Sequence, residues 1–270
     1  MPKTKRKILF MVAVIGLCIL VAVVLWSANK SVFSYSNLVD DESKAEVQAL
    51  LSGNDIRQEN IDLFIKLVDD FYRTPYNNVV ESGWKKAVIP FFSYSDKDAA
   101  DHAAAQPDHI INCRMTAFLI TKDNFSFTNT EFTPTENKDP QSRHHLTDED
   151  DLTHYDLLFS NIKNTSVNSS ESLAQSIIEH WDTAGIEFPH GKVQLVMAYG
   201  TSGSTIQNFH TAVAVYDDDC VWLLEKYDPL YPYQFSCFSN QEQLIAYMKQ
   251  RVSEAKYAAV FANDNCLWQK

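Results

Sequence analysis

The sequence predicts an α+β fold, and three observations predict it. Apolar residues recur at helical spacing through the first two thirds of the chain. Alternating, strand-like runs crowd into the last third, and two of them are joined by the tight acidic turn Asp217-Asp218-Asp219, which forces antiparallel pairing. No internal repeat is visible, and 45% hydrophobic residues with only seven glycines fit a packed chain rather than a disordered or loop-dominated one.

Taken in order, residues 1–30 read as an N-terminal signal anchor, a transmembrane helix. Ile8 to Trp26 is an uncharged run of nineteen residues preceded by Lys3, Lys5, Arg6 and Lys7. At ~1.5 Å per residue it reaches about 28 Å, close to the hydrocarbon thickness of a bilayer. A cleaved secretory signal is the competitor, but cleavage after Ser27 or Ala28 would put Leu25 or Trp26 where a small residue is preferred. The basic flank stays inside, so a single-pass cell-membrane protein with its C-terminal domain extracytoplasmic is expected, or a secreted one if the signal is cleaved. The five basic residues of this segment leave 18 of the chain's 23 to face 35 acidic side chains, a net charge of about −17 on the body. Such a surface repels phosphate backbones, and nucleic acid is not an expected partner.

Residues 31–55 read as a polar tether with a short helical piece, and 56–270 as a single globular α+β domain. Ile61, Phe64, Ile65, Val68 and Phe71 predict a core-facing helix over 59–72, closed by Pro75. Trp84 to Tyr94 reads as a loop or short edge strand around Pro90, and Asp96 to Ala105 as a short helix. Asn112 is a good N-cap, so Cys113 falls at the first position of an apolar, central helix carrying Met115, Ala117, Phe118, Leu119 and Ile120. The polar region 121–152 holds His144-His145 and the run Asp148 to Asp151. Its spacing matches no calcium loop or zinc helix, so it reads as a solvated acidic loop, and neither metal nor cofactor is expected.

Asp156 to Asn161 is a brief apolar piece. Leu173, Ile177, Ile178 and Trp181 then mark a helix over 171–184, stopped by Gly185. Strands follow at 192–199, 209–216 and 221–227, with Gly200 to Ser204 between the first two as a flexible loop suited to lining a cleft. A Pro/Tyr-rich connection leads to a helix over 240–252, opened by Ser239 and Glu242 at capping-box spacing, and Tyr257 to Ala262 completes the sheet.

Chemistry concentrates at two points. A cysteine at a helix start faces unpaired N–H groups and the positive end of the helix dipole, which lower a thiol pKa. A thiol enzyme also needs an imidazole and a group to orient it. His210, at the start of its predicted strand, is the best-placed histidine, and the hairpin returns Glu225 and Asp228 beside it. Which of the two shares its face is open, because one residue of uncertainty in the turn flips the parity. Gln106 and Asn112 are further possible members, Gln106 as an oxyanion donor, and Arg114 could take a substrate carboxylate. The competing assignment of Cys113 is a small core residue. Four cysteines lie outside the anchor and allow three pairings. If Cys113 is free, at most one bridge forms among Cys220, Cys237 and Cys266.

The order of cysteine helix and histidine strand resembles papain-like and transglutaminase-like cysteine enzymes, which implies a central cysteine-bearing helix packed on a C-terminal antiparallel sheet. Asn112-Cys113-Arg114, Phe209-His210, Leu224-Glu225-Lys226 and Pro232-Tyr233-Gln234 resemble the motif series of a bacterial exported family, the domain of unknown function numbered 4300, from about Val39 onward. The Glu-Lys match implies Glu225 rather than Asp228 as third member. Where that family places Ala-Gly after the histidine, this chain has Thr211-Ala212. The expectation is a membrane-anchored, extracytoplasmic cysteine hydrolase or acyltransferase of peptidase or amidase type, acting on a peptide or cell-wall amide through Cys113, His210 and Glu225. The alternative is a non-catalytic cell-surface binding module presenting the aromatic stretch Tyr227 to Phe238, Tyr231 and Tyr233 above all.

Overall fold

The computed structural model describes residues 31–73, 80, 82–91, 111–129, 132, 145–164 and 166–270. The anchor run and the helix expected over 96–105 lie outside them. Among the described residues no helix is long and apolar enough to cross a membrane. Residues 33–270 form one compact unit, distinct from residues 1–32. In chain order the elements are β1 (Val32–Ser36), α1 (Asp41–Ser52), α2 (Gln58–Arg73), β2 (Lys85–Val88), α3 (Cys113–Thr121), β3 (Ser126–Phe127), α4 (Glu149–Phe159), β4 (Ile162–Lys163) and α5 (Ser170–Ala184). There follow β5 (Ile186–Glu187), β6 (Val193–Ser202), β7 (Thr205–Tyr216), β8 (Val221–Lys226), β9 (Tyr233–Phe238), α6 (Gln241–Met248), a 3-10 turn (Lys249–Val252), β10 (Ala258–Ala262) and β11 (Asn265–Gln269).

The fold is α+β, as predicted. Its frame is a nine-stranded sheet in the order β11-β10-β6-β7-β8-β9-β1-β2, with β4 added against β7. Alternation along the strands divides the side chains between two cores. Leu195, Met197, Val213, Val215 and Leu224 point into the larger one, beneath α1 to α5, with Phe64, Phe118, Tyr155 and Trp181 fully buried in it. Val196, Ala198, Ala212, Ala214 and Leu223 point into the smaller one, closed by Leu244, Tyr247 and Met248 of α6 and by Val252.

Several expectations need correction. The segment read as a tether is built into the fold: β1 pairs with β9, and Leu38, Val47 and Leu51 are buried in the larger core. Its larger apolar residues are few, but Phe33, Tyr35, Leu38, Val47 and Leu51 face inward, which the polar composition hid. The Gly/Ser stretch at 200–204 is no open loop. β6 and β7 run on to Ser202 and Thr205, and Gly203, in left-handed backbone, makes the turn. The acidic run is a helix start, with the Asp148 side chain accepting from the N–H groups of Asp150 and Asp151. The Pro/Tyr connection contains β9, hydrogen-bonded along all of β8. Asn240, not Ser239, caps α6 and accepts from Gln243 N–H.

One interruption in the sheet positions everything that follows. β8 pairs with β7 only from Val213 to Tyr216, whereas β4 pairs with it only at Thr205 and Ile206. Between the two ladders, residues 207–212 keep only β6 as a strand neighbour, and there Phe209 is an extra residue, since Ala198 pairs with His210 and Tyr199 with Asn208. This bulge turns Asn208 and Thr211 toward one core and His210 toward the other. The open stretch of β7 is where the start of α3 docks.

Candidate active site

Asn112 sets the start of α3: its side-chain Oδ1 accepts the Met115 N–H at 2.9 Å, and its carbonyl accepts the Thr116 hydroxyl at 2.9 Å. The rest of α3 is buried from Met115 to Ile120 and, Thr116 apart, apolar, so the helix is anchored by its body and offers its first turn to β7. Replacing Asn112 by Ala should cost about 1 kcal/mol in urea unfolding and loosen Cys113 without removing any charge.

Two residues of that turn use the unladdered edge of β7. Arg114 Nη1 donates to the Asn208 carbonyl at 3.3 Å, and the Cys113 sulfur accepts the Thr211 N–H. Cys113 is also hydrogen-bonded to the ring of His210, whose Nε2 is bonded to Glu225 Oε2. With Nε2 taken, Nδ1 is the nitrogen left for the sulfur. All three side chains are buried, at 8%, 3% and 1% exposure.

The electrostatics favour a charged chain. Burial pushes the Cys113 thiol up, yet the His210 charge and hydrogen bond, Arg114 and the Thr211 N–H outweigh it, and the thiol lies below its ordinary value. Burial and the Arg251 cation push His210 down, but Cys113 and Glu225 together hold it above the usual imidazole value. Burial raises Glu225, while Arg251, His210 and Tyr247 bring it below the ordinary carboxylate value. All three shifts run toward thiolate, imidazolium and carboxylate in line.

Glu225 sits in a cradle of donors. Tyr247 donates to its Oε1 at 2.5 Å, as does Gln234 Nε2 at 3.3 Å, while Arg251 Nη2 reaches Oε2 at 3.3 Å. Gln234 also bonds Ser236 Oγ and the Tyr247 hydroxyl, and Arg251 bonds that hydroxyl at 3.2 Å. Gln234, Tyr247 and Arg251 were not singled out as site residues. Gln234 stood in a quoted motif, but β9 was not read as a strand, and nothing marked which face of α6 meets the sheet.

The remaining expected members separate clearly. Asp228 lies in the turn after β8, accepts from Leu230 N–H at 3.3 Å, and acts electrostatically on Lys226, so it is not the partner of His210. Gln106 lies outside the described residues. Arg114 is spent on the β7 backbone rather than fully solvated. His210 is neither at the start of its strand nor accessible; β7 begins five residues earlier and buries it. Lys226 turns to the face opposite Glu225, its Nζ 3.4 Å above the Phe71 ring and 4.4 Å from that of Tyr233, and burial holds its amine well below the ordinary value. Tyr233 is itself buried at 2% exposure, which removes it from any outward recognition face.

Cys220, just before β8, and Cys237 in β9 form a disulfide with Cα atoms 5.8 Å apart, and Cys113 and Cys266 are free. Thr211 bonds through its hydroxyl to Asn208 Oδ1 at 2.9 Å and so steadies the bulge. A family model described as a domain of unknown function (DUF4300) matches residues 34–267. No curated protein and no solved structure matches the chain.

Proposed function

The chain belongs to the DUF4300 family, and within it we propose a thiol-dependent amide hydrolase or acyltransferase. The observation that carries this reading is the hydrogen-bonded line Cys113–His210–Glu225 at the start of α3. The Cys113 thiolate attacks the carbonyl carbon of an amide. The electron pair moves onto oxygen, and the Cys113 backbone N–H at the helix start stabilises that oxyanion. As the tetrahedral adduct collapses, the imidazolium of His210 gives its proton to the departing amine and an acyl-thioester remains on Cys113. Water or a second amine, deprotonated by His210, then displaces the thiolate, which separates hydrolysis from transfer only at this step. Glu225 keeps the ring oriented and charged. The run Ile8 to Trp26 supports a membrane anchor with the body outside the cytoplasm, and the Cys220–Cys237 disulfide supports the same oxidising side.

p-Nitrophenyl acetate is an activated acyl donor small enough to test this without knowing the natural amide. The full-length protein should release a burst of nitrophenolate equal to its own concentration and carry the acetyl group on Cys113. The burst should vanish in Cys113→Ala. A burst that persists in that variant, or none in the parent, counts against the proposal.

A further inference from the structure

Resting on the thiolate–imidazolium reading of the site, we infer that Arg251 is a positioning residue, a partly buried cation that fixes Glu225 against His210 and completes a four-charge line from Cys113. Its guanidinium reaches Glu225 Oε2 at 3.3 Å and the Tyr247 hydroxyl at 3.2 Å, and lies 3.8 Å above the ring of Tyr227. The oxygen it bonds is the one that bonds His210 Nε2, so the carboxylate is shared between a cation on each side. Arg251 comes from the 3-10 turn after α6, in the wall of the smaller core, whereas Cys113 comes from a helix in the wall of the larger one. The line therefore ties both layers to the opening in the sheet.

A carboxylate held by Arg251, Tyr247 and Gln234 as well as His210 does not take up the imidazole proton. It orients the ring and balances its charge. The charged and titratable groups acting on this line are Cys113 and Arg114 from α3, Glu225 from β8, Tyr227 just after it, Tyr247 from α6, and Arg251 itself, with Asp228 acting through Tyr227. Among them Arg251 works in two directions: its charge favours the Cys113 thiolate and disfavours the His210 imidazolium.

The opposed effects give a signature that loss of packing alone would not produce. The rate of Cys113 alkylation by iodoacetamide, followed against pH in the full-length protein, has a low-pH inflection where the thiolate forms and a high-pH inflection where His210 loses its proton. Arg251→Gln keeps a donor and removes the charge, so both inflections should move upward by about one pH unit. Arg251→Lys should bring both most of the way back. Tyr227→Leu leaves every charge in place but frees the guanidinium, and should shift both inflections upward by a smaller amount, which keeps the inference testable if Arg251→Gln does not fold. Inflections unmoved in a folded Arg251→Gln, or in Tyr227→Leu, overturn the role of Arg251 while leaving the thiol chemistry intact. A parent protein whose Cys113 behaves as an ordinary thiol overturns both.

Discussion

At pH 6.5, replacing His210 by Ala should slow the alkylation of Cys113 by iodoacetamide about 100-fold. An unassisted thiol with a pKa near 8.5 is only about 1% ionised at that pH. In the intact site the thiolate is held by the His210 charge and hydrogen bond together with Arg114 and the Thr211 N–H. The helix start, Arg114 and Thr211 remain in the variant, but the largest of the stabilising influences is gone, and burial at 8% exposure then meets far less opposition in raising the thiol. Peptide mass spectrometry at fixed times reads the rate directly. A variant that alkylates within threefold of the parent would mean that the imidazole does not control the sulfur.

Glu225→Ala should lower stability by about 3–5 kcal/mol, because removing one partner strands the other as an uncompensated buried charge. Arg251 loses its carboxylate, its side chain having 15% exposure, and the Tyr247 hydroxyl and Gln234 amide lose an acceptor at the same stroke. Glu225→Gln keeps an oxygen for those donors and should lose clearly less. The sign with pH follows from the shift. Glu225 lies below its ordinary 4.5 in the folded protein, so its ionised form stabilises the fold above that value. This contribution disappears as pH falls through the folded value, so parent and Glu225→Gln should converge in acid. Urea unfolding across the pH range tests both statements, and an Ala variant within 1 kcal/mol of the parent would contradict them.

The sequence made the first residue of α3 legible for a simple reason. An N-capping Asn immediately before an apolar run is a local signal, and local signals do not depend on the rest of the fold. The choice between Glu225 and Asp228 was not local. It depended on the length of the 217–220 turn, which pairs Tyr216 with Val221 and so continues to place residue 212 opposite 225. Glu225 then shares the face of Ala212 and His210, and Asp228 does not. The motif resemblance had favoured Glu225 without that register.

What stayed hidden was non-local in the same sense. The bulge at Phe209 is visible only against β6, and the unladdered stretch of β7 only when β4 and β8 are both placed. β9 was masked by Pro229 and Pro232, whose turn chemistry dominates the reading of that segment. Without β9 and the inner face of α6, the donors around Glu225 had no common location. His210 reads as a strand start because nothing local shows that β7 already runs from Thr205, which buries it.

The proposed chemistry needs Cys113 as a thiolate at neutral pH, and competitive alkylation within the parent protein reads this out. Cys266 is also free and is the more exposed of the two, so accessibility alone would have it react first. With limiting iodoacetamide at pH 6.5, Cys113 should be modified at least about tenfold faster, since thiolate fraction sets the rate. Equal labelling, or Cys266 ahead of Cys113, would contradict it.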